Sequence, residues 1–404
     1  MGDTAPPRQG PLTDLRVIEM GQLLAGPFCG QILADFGAEV IKIEQPGEGD
    51  PMRQWGREKP HGKSLWWPVV ARNKKSVTLN LREPEGQEIV RRLVRDSDIL
   101  IENFRPGTME RWGLGYDELS WINPRLVMVR VTGFGQTGPY ARRAGYGAIG
   151  EAMGGLRYVV GDPSTPPSRM GISIGDELAA LHAALGAMMA IHARERTGRG
   201  QVVDSAIYEA VLNMMESLVT EYDVAGYVRE RTGPILPNVA PSNVYETRDG
   251  KLLLIAANQD TVFRRLAAAM GRPELAEDPR YATHGARGAH QAELDALIND
   301  WTRTIDLKPL EALLEEHGVP CGLIYKAEDM LADPHFQARE AIVTVPHPAF
   351  GPIRMQNVAP RLSETPGAVR HVGPELGEHN DEVYRGLLGL GDEVLADYRA
   401  RGII

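Results

Sequence analysis

Three stretches near the start of the chain decide the fold: Leu-Arg-Val-Ile-Glu-Met at 15–20, Gly-Gln-Leu-Leu-Ala-Gly at 21–26 and Glu-Val-Ile-Lys-Ile-Glu at 39–44. The first and third are short apolar runs typical of buried strands. Between them, Pro27 stands where the first turn of a helix tolerates proline, and Gly37 marks the end of that helix. Strand, helix and strand in this order form a βαβ unit, which implies parallel strands joined by a right-handed crossover.

The same alternation of strands and helices continues to about residue 205. Apolar or alternating runs predict strands at 74–81, 99–102 and 126–132, and an amphipathic pattern predicts a helix over 84–96. A helix is also expected from about Ser205, continuing over 213–233. This order predicts an α/β layer domain whose first part covers residues 1–215.

A second, smaller domain is expected after a linker at 216–240. Arg248-Asp249-Gly250 between two apolar runs indicates a hairpin, and three helical patterns follow it. These signals predict an α+β domain over 241–330. Residues 331–404 are then expected to return to the large domain as a linker and its C-terminal part.

Composition excludes several classes of function. The 404 residues carry a net charge of −10 without a Lys/Arg block, so there is no nucleic-acid footprint. The apolar run Leu178–Ile191 is interrupted by His182 and is shorter than the ~20 residues that a membrane span needs. Cys29 and Cys321 lie far apart, and the histidines show no metal-ligand spacing. We expect a cytoplasmic protein that binds no metal and no membrane.

Asp176 is the candidate nucleophile. It follows Gly175 and opens the apolar run Glu177–Ala193, so the local sequence favours a helix N-cap whose side chain accepts backbone N–H bonds. Those donors and the helix dipole favour an ionised carboxylate, and an ordinary aspartate with a pKa of about 3.9 is ionised at neutral pH anyway. A carboxylate held at a glycine-rich turn can act as a nucleophile. The alternative interpretation is that Asp176 only caps the helix.

The βαβ unit also suggests a dinucleotide site, because Glu44 ends the second strand about where a ribose-binding acid would stand. However, the loop Gly-Gln-Leu-Leu-Ala-Gly departs from the GxGxxG pattern. The sequence is therefore only weak support for a nicotinamide cofactor.

Nine separate stretches together resemble the family III CoA-transferases (CaiB/BaiF type), the group of formyl-CoA transferase, carnitine CoA-transferase and α-methylacyl-CoA racemase. The matching stretches are Leu-Leu-Ala-Gly-Pro at 23–27, Asp-Phe-Gly-Ala-Glu-Val-Ile-Lys-Ile-Glu at 35–44, Gly-Asp-Pro-Met-Arg at 49–53, Asn-Lys-Lys-Ser at 73–76, Glu-Asn-Phe-Arg-Pro-Gly at 102–107, Gly-Phe-Gly-Gln-Thr-Gly-Pro at 133–139, Thr-Gly-Arg-Gly-Gln at 197–201, Gly-Val-Pro-Cys-Gly at 318–322 and Leu-Gly-Glu-His-Asn at 376–380. Their order and spacing cover almost the whole chain. The resemblance implies a Rossmann-like large domain, a smaller α+β domain and an interlocked homodimer.

The resemblance places the family's nucleophilic aspartate at Asp176. It implies that this carboxylate attacks the donor thioester and forms a mixed anhydride with the acyl group. The released CoA thiolate then attacks the aspartyl carbonyl, which gives an aspartyl-CoA thioester and frees the donor acid. The acceptor acid repeats both steps in reverse. Coenzyme A and acyl-CoA are thus substrates, and no permanently bound cofactor is expected.

The resemblance also implies which residues contact CoA. They are Leu24, Ala25, Leu79, Asn80, Leu81, Arg82, Asn103, Phe104, Arg105, Arg111 and Tyr146. Arginine suits this role because its guanidinium pairs bidentately with phosphate. One contact arginine of the family is replaced here by Gln45, so that contact is not expected.

The branch of the family that this chain resembles and its spare basic residues favour a dicarboxylate substrate. The segment Pro234–Asn243 lacks the tetraglycine lid of formyl-CoA transferase, which argues against formyl-CoA and oxalate. The chain is closer to the branch of transferases that use succinyl-CoA and dicarboxylates. A distal carboxylate needs a basic partner in a partly dry pocket. The candidates are Arg53, Arg142, Arg143 and Arg169.

Two other functions stay open. The racemase branch uses a His-Asp pair where this chain has Tyr146-Gly147, and tyrosine, which titrates near ~10, is a poor base at neutral pH. The second alternative is a non-catalytic, CoA-binding subunit of a two-subunit transferase. The presence of Asp176 counts against this alternative. The activity of the purified single chain distinguishes this alternative from a self-sufficient enzyme.

Overall fold

The computed structural model describes residues 9–404, and the chain forms two compact units. The first unit contains the chain up to 156, residues 170–220 and residues 335–404, and the second contains residues 157–169 and 221–334. The domain boundaries expected at 215, 240 and 330 remain predictions, because compactness does not measure independent folding.

A six-stranded parallel sheet forms the centre of the first unit. Its strands are β1 (Arg16–Glu19), β2 (Glu39–Glu44), β3 (Lys74–Thr78), β4 (Ile99–Glu102), β5 (Val127–Thr132) and β6 (Val202–Ala206), in the order β3-β2-β1-β4-β5-β6. The strand order reverses between β1 and β4. In such sheets, ligands bind outside the carboxyl ends of the strands at this switch point.

Helices cover both faces of the sheet. Up to residue 213 they are α1 (Ala25–Asp35), α2 (Trp67–Val70), α3 (Pro84–Val94), α4 (Thr108–Arg111), α5 (Tyr116–Ile122), α6 (Gly147–Met153), α7 (Leu156–Val159), α8 (Ile174–Thr197) and α9 (Ile207–Asn213), with 3₁₀ turns at Pro51–Gln54 and Pro60–Gly62. Because successive strand residues point to opposite faces, Val17 and Ile18 enter two different apolar clusters. The α/β fold expected from the alternating elements is confirmed.

Helix α8 packs its alanines against the sheet and α1. Ala179, Ala183 and Ala187 are completely buried, and their small side chains allow close approach. By length and composition alone, this 24-residue helix would suffice to cross a membrane, and 44% of its apolar window is buried inside the protein. The core helix of a soluble protein meets the same criteria, so this helix is weak support for a membrane span.

The remaining elements follow in chain order. They are α10 (Leu218–Ala225), β7 (Ser242–Glu246), β8 (Leu252–Ala256), α11 (Asp260–Ala269), a 3₁₀ turn at Pro273–Ala276, α12 (His284–Ala289), α13 (Gln291–Thr302), α14 (Leu307–Glu316), β9 (Cys321–Leu323), α15 (Ala327–Ala332), α16 (Pro334–Ala338), β10 (Ile342–His347), β11 (Gly351–Gln356), a π-helix at Asp381–Leu387 and α17 (Asp392–Ala400). In the second unit, β7, β8 and β9 form an antiparallel sheet whose apolar face packs on helices. The hairpin expected around Asp249 is therefore present.

The C-terminal segment of the first unit covers the open edge of β3. The backbone N–H of Ser76 donates to Nδ1 of His379 at 3.2 Å, and that of Thr78 donates to Oδ1 of Asn380 at 2.8 Å. The N–H of His379 donates back to the Ser76 carbonyl at 2.9 Å. The stretch Leu-Gly-Glu-His-Asn thus protects a sheet edge, which would otherwise present unpaired backbone groups.

The sequence missed one strand and overextended one helix. The helix expected from about Ser205 is present as α9 from Ile207, but strand β6 at Val202–Ala206, which precedes it, was not expected. The helix expected over 213–233 is also shorter, because only Leu218–Ala225 is helical in that range.

Candidate active site

The loops that follow β1 and β4 meet at the switch point of the sheet, and a cavity of about 200 Å³ lies between them. It is lined by Gln22, Leu23, Leu24, Ala25, Asn103, Phe104, Arg105, Pro106, Val131, Thr132, Gly133, Ala141, Arg143, Ala144, Gly145, Tyr146, Asp176 and Ile207. All of these residues belong to the first unit. The parallel topology therefore brings together loops that are about 80 residues apart in sequence.

The loop after β1 is held by side chains from two other segments. Asn103 uses both ends of its amide on Gln22: Nδ2 donates to the Gln22 carbonyl and Oδ1 accepts from its N–H, each at 2.8 Å. The carboxylate of Asp50 accepts from the N–H of Leu23 at 3.0 and 3.2 Å. Leu23 has a φ of 64°, which is rare for a leucine and persists only where the surroundings impose it. The backbone of Gln22 and Leu23, which lines the cavity, is therefore held in place by these hydrogen bonds.

A buried network of charges lies beneath this loop. Nζ of Lys42 is 3.0 Å from Glu19 and 2.8 Å from Asp50, and it also donates to the Gly21 carbonyl at 2.8 Å. Nζ of Lys74 is 2.7 Å from the other oxygen of Glu19. Burial lowers the pKa of Lys74, and the nearby charge of Glu19 opposes that shift. For Lys42, burial also acts to lower the pKa, but the charges of Asp50 and Glu19 raise it overall.

Cys29 is excluded as a nucleophile by its surroundings. Its side chain is fully buried, and burial followed by the charge of Glu19 raises the pKa of its thiol to about 12. A thiol in this state is inert, since the thiolate is the reactive form.

Asp176 lies in the first turn of α8. The helix begins at Ile174 after Ser173, so Asp176 is its third residue and the prediction that it is the N-cap is wrong. Its side chain lines the cavity and rests on the backbone of Gly147 at the start of α6. Among the lining residues within 9–404, Asp176 is the sole carboxylate, and none of the others is a cysteine, serine or histidine. Its neighbour Glu177, whose pKa is raised by burial, does not line the cavity.

Eight of the residues singled out from the sequence line this cavity together. They are Leu24, Ala25, Asn103, Phe104, Arg105, Arg143, Tyr146 and Asp176. Asn103 is engaged in holding the loop of Gln22, and the ring of Phe104 packs edge-on against Trp112 at 5.2 Å between centroids. Arg105 and Tyr146 are exposed at the mouth, where a ligand would reach them.

The other expected CoA contacts lie elsewhere in the first unit. The side chains of Leu79 and Leu81 are buried in the apolar cluster around α3, so only their backbone is available to a ligand. Asn80 accepts from the N–H of Arg82, whose own side chain is exposed. Arg111 is exposed and donates to Oγ1 of Thr108 at 2.9 Å.

Of the four arginines expected to bind a substrate carboxylate, the structure brings only Arg143 to the cavity. Its guanidinium stacks on the ring of Tyr140 at 3.7 Å. Arg142 is exposed beside it but does not line the cavity, and Arg169 belongs to the second unit.

Arg53 is engaged within the first unit. Its guanidinium pairs with both carboxylate oxygens of Glu44, at 2.7 and 2.8 Å, and lies 3.7 Å from the ring centre of Trp67. The same pairing occupies Glu44, which also accepts from Oγ of Ser76 at 2.6 Å. Glu44 is therefore not presented to a ribose, which removes the basis of the nicotinamide interpretation.

Glu102 is a buried residue beside the site that sequence reasoning did not single out, and it does not line the cavity. It ends β4, is fully buried, and accepts from the N–H of Phe104 at 2.7 Å. Burial raises the pKa of Glu102 to about 6, although the ion pair with Arg130 at 2.7 Å acts in the opposite direction. The sequence feature that could have indicated Glu102 is its position at the end of a parallel strand, where functional residues collect.

Within residues 9–404 there is no group of three or more His, Cys, Asp or Glu side chains arranged to hold a metal ion. The titratable side chains that line the cavity are the carboxylate of Asp176, the guanidinium groups of Arg105 and Arg143, and the phenol of Tyr146.

Residues 12–380 match the family model of CoA-transferase family III. Over 404 residues the chain is 61% identical to succinyl-CoA–D-citramalate CoA-transferase of Chloroflexus aurantiacus, with 100% of both chains covered. It is 42% identical over 397 residues to the beta subunit of succinyl-CoA–L-malate CoA-transferase of the same organism, with 98% of each covered. The crystal structure of a CaiB/BaiF family protein from Brucella suis matches with a TM-score of 0.84 at 36% identity, covering 94% of this chain and 100% of that one. The chain belongs to CoA-transferase family III and is a CoA-transferase.

Proposed function

We propose that this enzyme moves CoA from succinyl-CoA to a dicarboxylic acid, with Asp176 as the covalent nucleophile. The observation that carries the proposal is that Asp176 is the only carboxylate among the described residues that line the switch-point cavity. The two transferases of Chloroflexus aurantiacus act between succinyl-CoA and D-citramalate or L-malate, which supports the substrate class.

The proposed reaction uses the residues of the cavity as follows. An oxygen of the Asp176 carboxylate attacks the thioester carbonyl; the C–S bond breaks and CoA leaves as a thiolate, which gives the mixed anhydride. The thiolate attacks the aspartyl carbonyl, forms the aspartyl-CoA thioester and releases succinate. The acceptor carboxylate then attacks this thioester, and the same steps in reverse return the free Asp176 carboxylate. CoA stays bound throughout, which replaces a bimolecular step by an intramolecular one.

The constrained loop and the arginines have separate roles in this proposal. Leu24 and Ala25, fixed by the network around Asp50, contact the pantetheine arm near the thioester. Arg105 at the mouth pairs with a CoA phosphate, since it is exposed and lines the cavity. Arg143 pairs with the distal carboxylate of the acid, because it is the other arginine that reaches the cavity.

Arg143→Gln is expected to raise the KM for dicarboxylate acceptors by about 10- to 100-fold, the loss of one charge-assisted hydrogen bond. The KM for a monocarboxylate acceptor such as butyrate should not change. The measurement is CoA transfer from succinyl-CoA to a panel of succinate, malate, citramalate, glutarate and butyrate, followed by mass spectrometry. Arg142→Gln is the matched comparison, because that adjacent arginine does not line the cavity. If wild-type enzyme used butyrate as well as the dicarboxylates, the proposed substrate class would be wrong.

We also propose that the enzyme is an interlocked homodimer, active without a different subunit. The outer face of α8 supports this: Leu181, Leu185 and Met189, spaced one turn apart, are 50%, 55% and 61% exposed in the single chain. A stripe of this kind on a soluble protein indicates a protein interface. The remaining proposals are a cytoplasmic location, no metal and no bound cofactor beyond the CoA substrates.

An interlocked dimer is expected to remain a dimer on dilution, because separation would require unfolding. Mass photometry at nanomolar concentration should therefore find a single species near twice the chain mass of 44.3 kDa. A monomer peak at that concentration would contradict the interlocking. Transfer activity of the same purified sample shows whether a second, different subunit is needed.

A further inference from the structure

The carboxylate of Asp176 rests directly on the backbone of Gly147. A Cβ atom added at residue 147 would lie 2.2 Å from Oδ2, 2.7 Å from Cγ and 3.0 Å from Oδ1 of Asp176. These are the three nearest atoms to that point, so the space that a side chain at 147 needs is occupied by the carboxylate itself. We propose that Gly147 is a positioning residue, whose missing side chain sets where the nucleophilic carboxylate lies. The inference rests on the proposed role of Asp176.

Close contacts on both sides of Gly147 restrict movement of its backbone. Before the helix, a Cβ at Gly133 would lie 2.9 Å from the Cα of Gly145, so two glycine backbones are in contact there. After the first turn, a Cβ at Gly150 would lie 2.4 Å from Cγ2 of Ile207 in α9. Gly147 itself is buried. A methyl group at 147 is therefore accommodated by movement of the Asp176 carboxylate, the flexible partner in the collision.

The N-terminus of α8 is fixed in the same way, which restricts where the carboxylate can go. A Cβ at Gly175 would lie 3.0 Å from the carbonyl oxygen of Gly147 and 2.9 Å from Cγ of Glu151. The N–H of Gly175 donates to Oε1 of the buried Glu151 at 3.4 Å. Because the backbones of both helices are in contact, the side-chain torsions of Asp176 absorb the change. The carboxylate then no longer faces the cavity as it does with glycine at 147.

Gly147→Ala is expected to lower kcat for CoA transfer by roughly 100-fold or more while Asp176 is intact, since a displacement of about 1 Å costs this much. The KM for succinyl-CoA should stay within about 3-fold of wild type, because the mouth and the loop after β1 are unchanged. Trapping with hydroxylamine in the absence of an acceptor should show slower formation of the aspartyl hydroxamate. Gly285→Ala in α12 is the matched control, because a Cβ there meets no atom within 4 Å, and its activity should equal that of wild type.

A double-mutant cycle in thermal stability separates positioning from damage to the fold. Gly147→Ala should lower the apparent Tm when residue 176 is aspartate, and should not lower it in the Asp176→Ala background, where the colliding atoms are missing. Gly150→Ala, which meets Ile207, should lower the apparent Tm equally in both backgrounds.

Three results would overturn the inference. They are a Gly147→Ala enzyme with kcat within 3-fold of wild type, a Tm loss at 147 that is independent of residue 176, and a Gly147→Ala/Asp176→Ala protein that does not fold. The proposed function is tested separately by the single variant Asp176→Ala. If that variant is inactive and Gly147→Ala is fully active, the positioning role is wrong and the nucleophile role stands. If Asp176→Ala is active, both are wrong.

Discussion

Replacing Asp176 by Ala is expected to abolish CoA transfer. The physical reason is that no other described residue lining the cavity can form an anhydride with an acyl group, and Glu177 does not line it. Loss of the residue that carries a covalent intermediate removes the reaction path, and no other contact compensates for it. The rate of transfer from succinyl-CoA to a dicarboxylate, measured by mass spectrometry, is the direct readout.

Asp176→Asn is the control that keeps the shape of the site. An amide is not a nucleophile here, so transfer should fail, while binding of CoA measured by calorimetry should survive. Wild-type enzyme given acyl-CoA without an acceptor should accumulate a covalent adduct. Hydroxylamine should convert that adduct to a hydroxamate on the peptide that contains Asp176. The location of this hydroxamate identifies the attacking residue independently of the rates.

A residual rate would decide between the two interpretations of Asp176. An Ala variant that kept a hundredth of the wild-type rate would have lost only about 2.7 kcal/mol of transition-state stabilisation. This is too little for the loss of a covalent intermediate. Asp176 would then be a structural residue in the first turn of α8, where an acidic side chain is favourable next to the helix N-terminus.

The parallel sheet was predictable from local sequence because its strands are buried on both faces. Short apolar runs such as Glu39–Glu44, separated by glycine and proline, are visible without knowledge of their neighbours. Strand β6 was not predictable from local sequence, because its residues Asp204 and Ser205 are polar. It forms as a strand by pairing with β5. Likewise, the sequence predicted a cap at Asp176, but the cap position is Ser173, three residues earlier. Boundaries of this kind depend on tertiary contacts that no local pattern records.

The candidate site also contains some residues whose role could be expected from the sequence and others whose role could not. Leu24 and Phe104 were named from the resemblance to the family, and the parallel topology explains why the loops after β1 and β4 bring them to one cavity. The roles of Arg53 and Asn103 could not be predicted from the sequence, because each depends on a partner distant in sequence. The partner is Trp67 for Arg53 and Gln22 for Asn103. An arginine that binds a ligand and one that stabilises the fold look identical in sequence.

The second large effect is expected at Glu19, which stands at the centre of the buried network. Glu19→Gln removes the charge that faces Lys42 and Lys74, two ammonium groups that are almost completely buried. Lys42 keeps its ion pair with Asp50, but Lys74 keeps only the Pro27 carbonyl at 2.6 Å and the charge of Asp50, with which it forms no ion pair. Breaking a buried pair by removing one partner costs about 3–5 kcal/mol, since an uncompensated charge stays in the interior.

Glu19→Gln should also weaken catalysis, because Lys42, which pairs with Glu19, holds the active-site loop. Lys42 donates to Gly21 while Asp50 holds Leu23, so a disturbed network loosens the backbone that forms the rim of the cavity. Urea denaturation followed by tryptophan fluorescence measures the stability. The signal reports mainly on the first unit, which contains Trp55, Trp66, Trp67, Trp112 and Trp121. Glu274→Gln, which breaks an exposed pair with Arg272, is the control and should leave the stability almost unchanged, because water screens exposed pairs.

The pH dependence of this loss has a definite sign. In the folded protein the pKa of Lys74 already lies below its ordinary value, so the unfolded chain binds more protons above the folded pKa, and stability rises with pH in that window. Without Glu19, the charge that opposes the burial effect is gone and the folded pKa falls further. The Gln variant should therefore recover part of its deficit relative to wild type as pH rises between the two folded pKa values. A deficit that grows with alkaline pH, or one no larger than that of Glu274→Gln, would mean that Lys74 is not held in the interior as a charged group by Glu19.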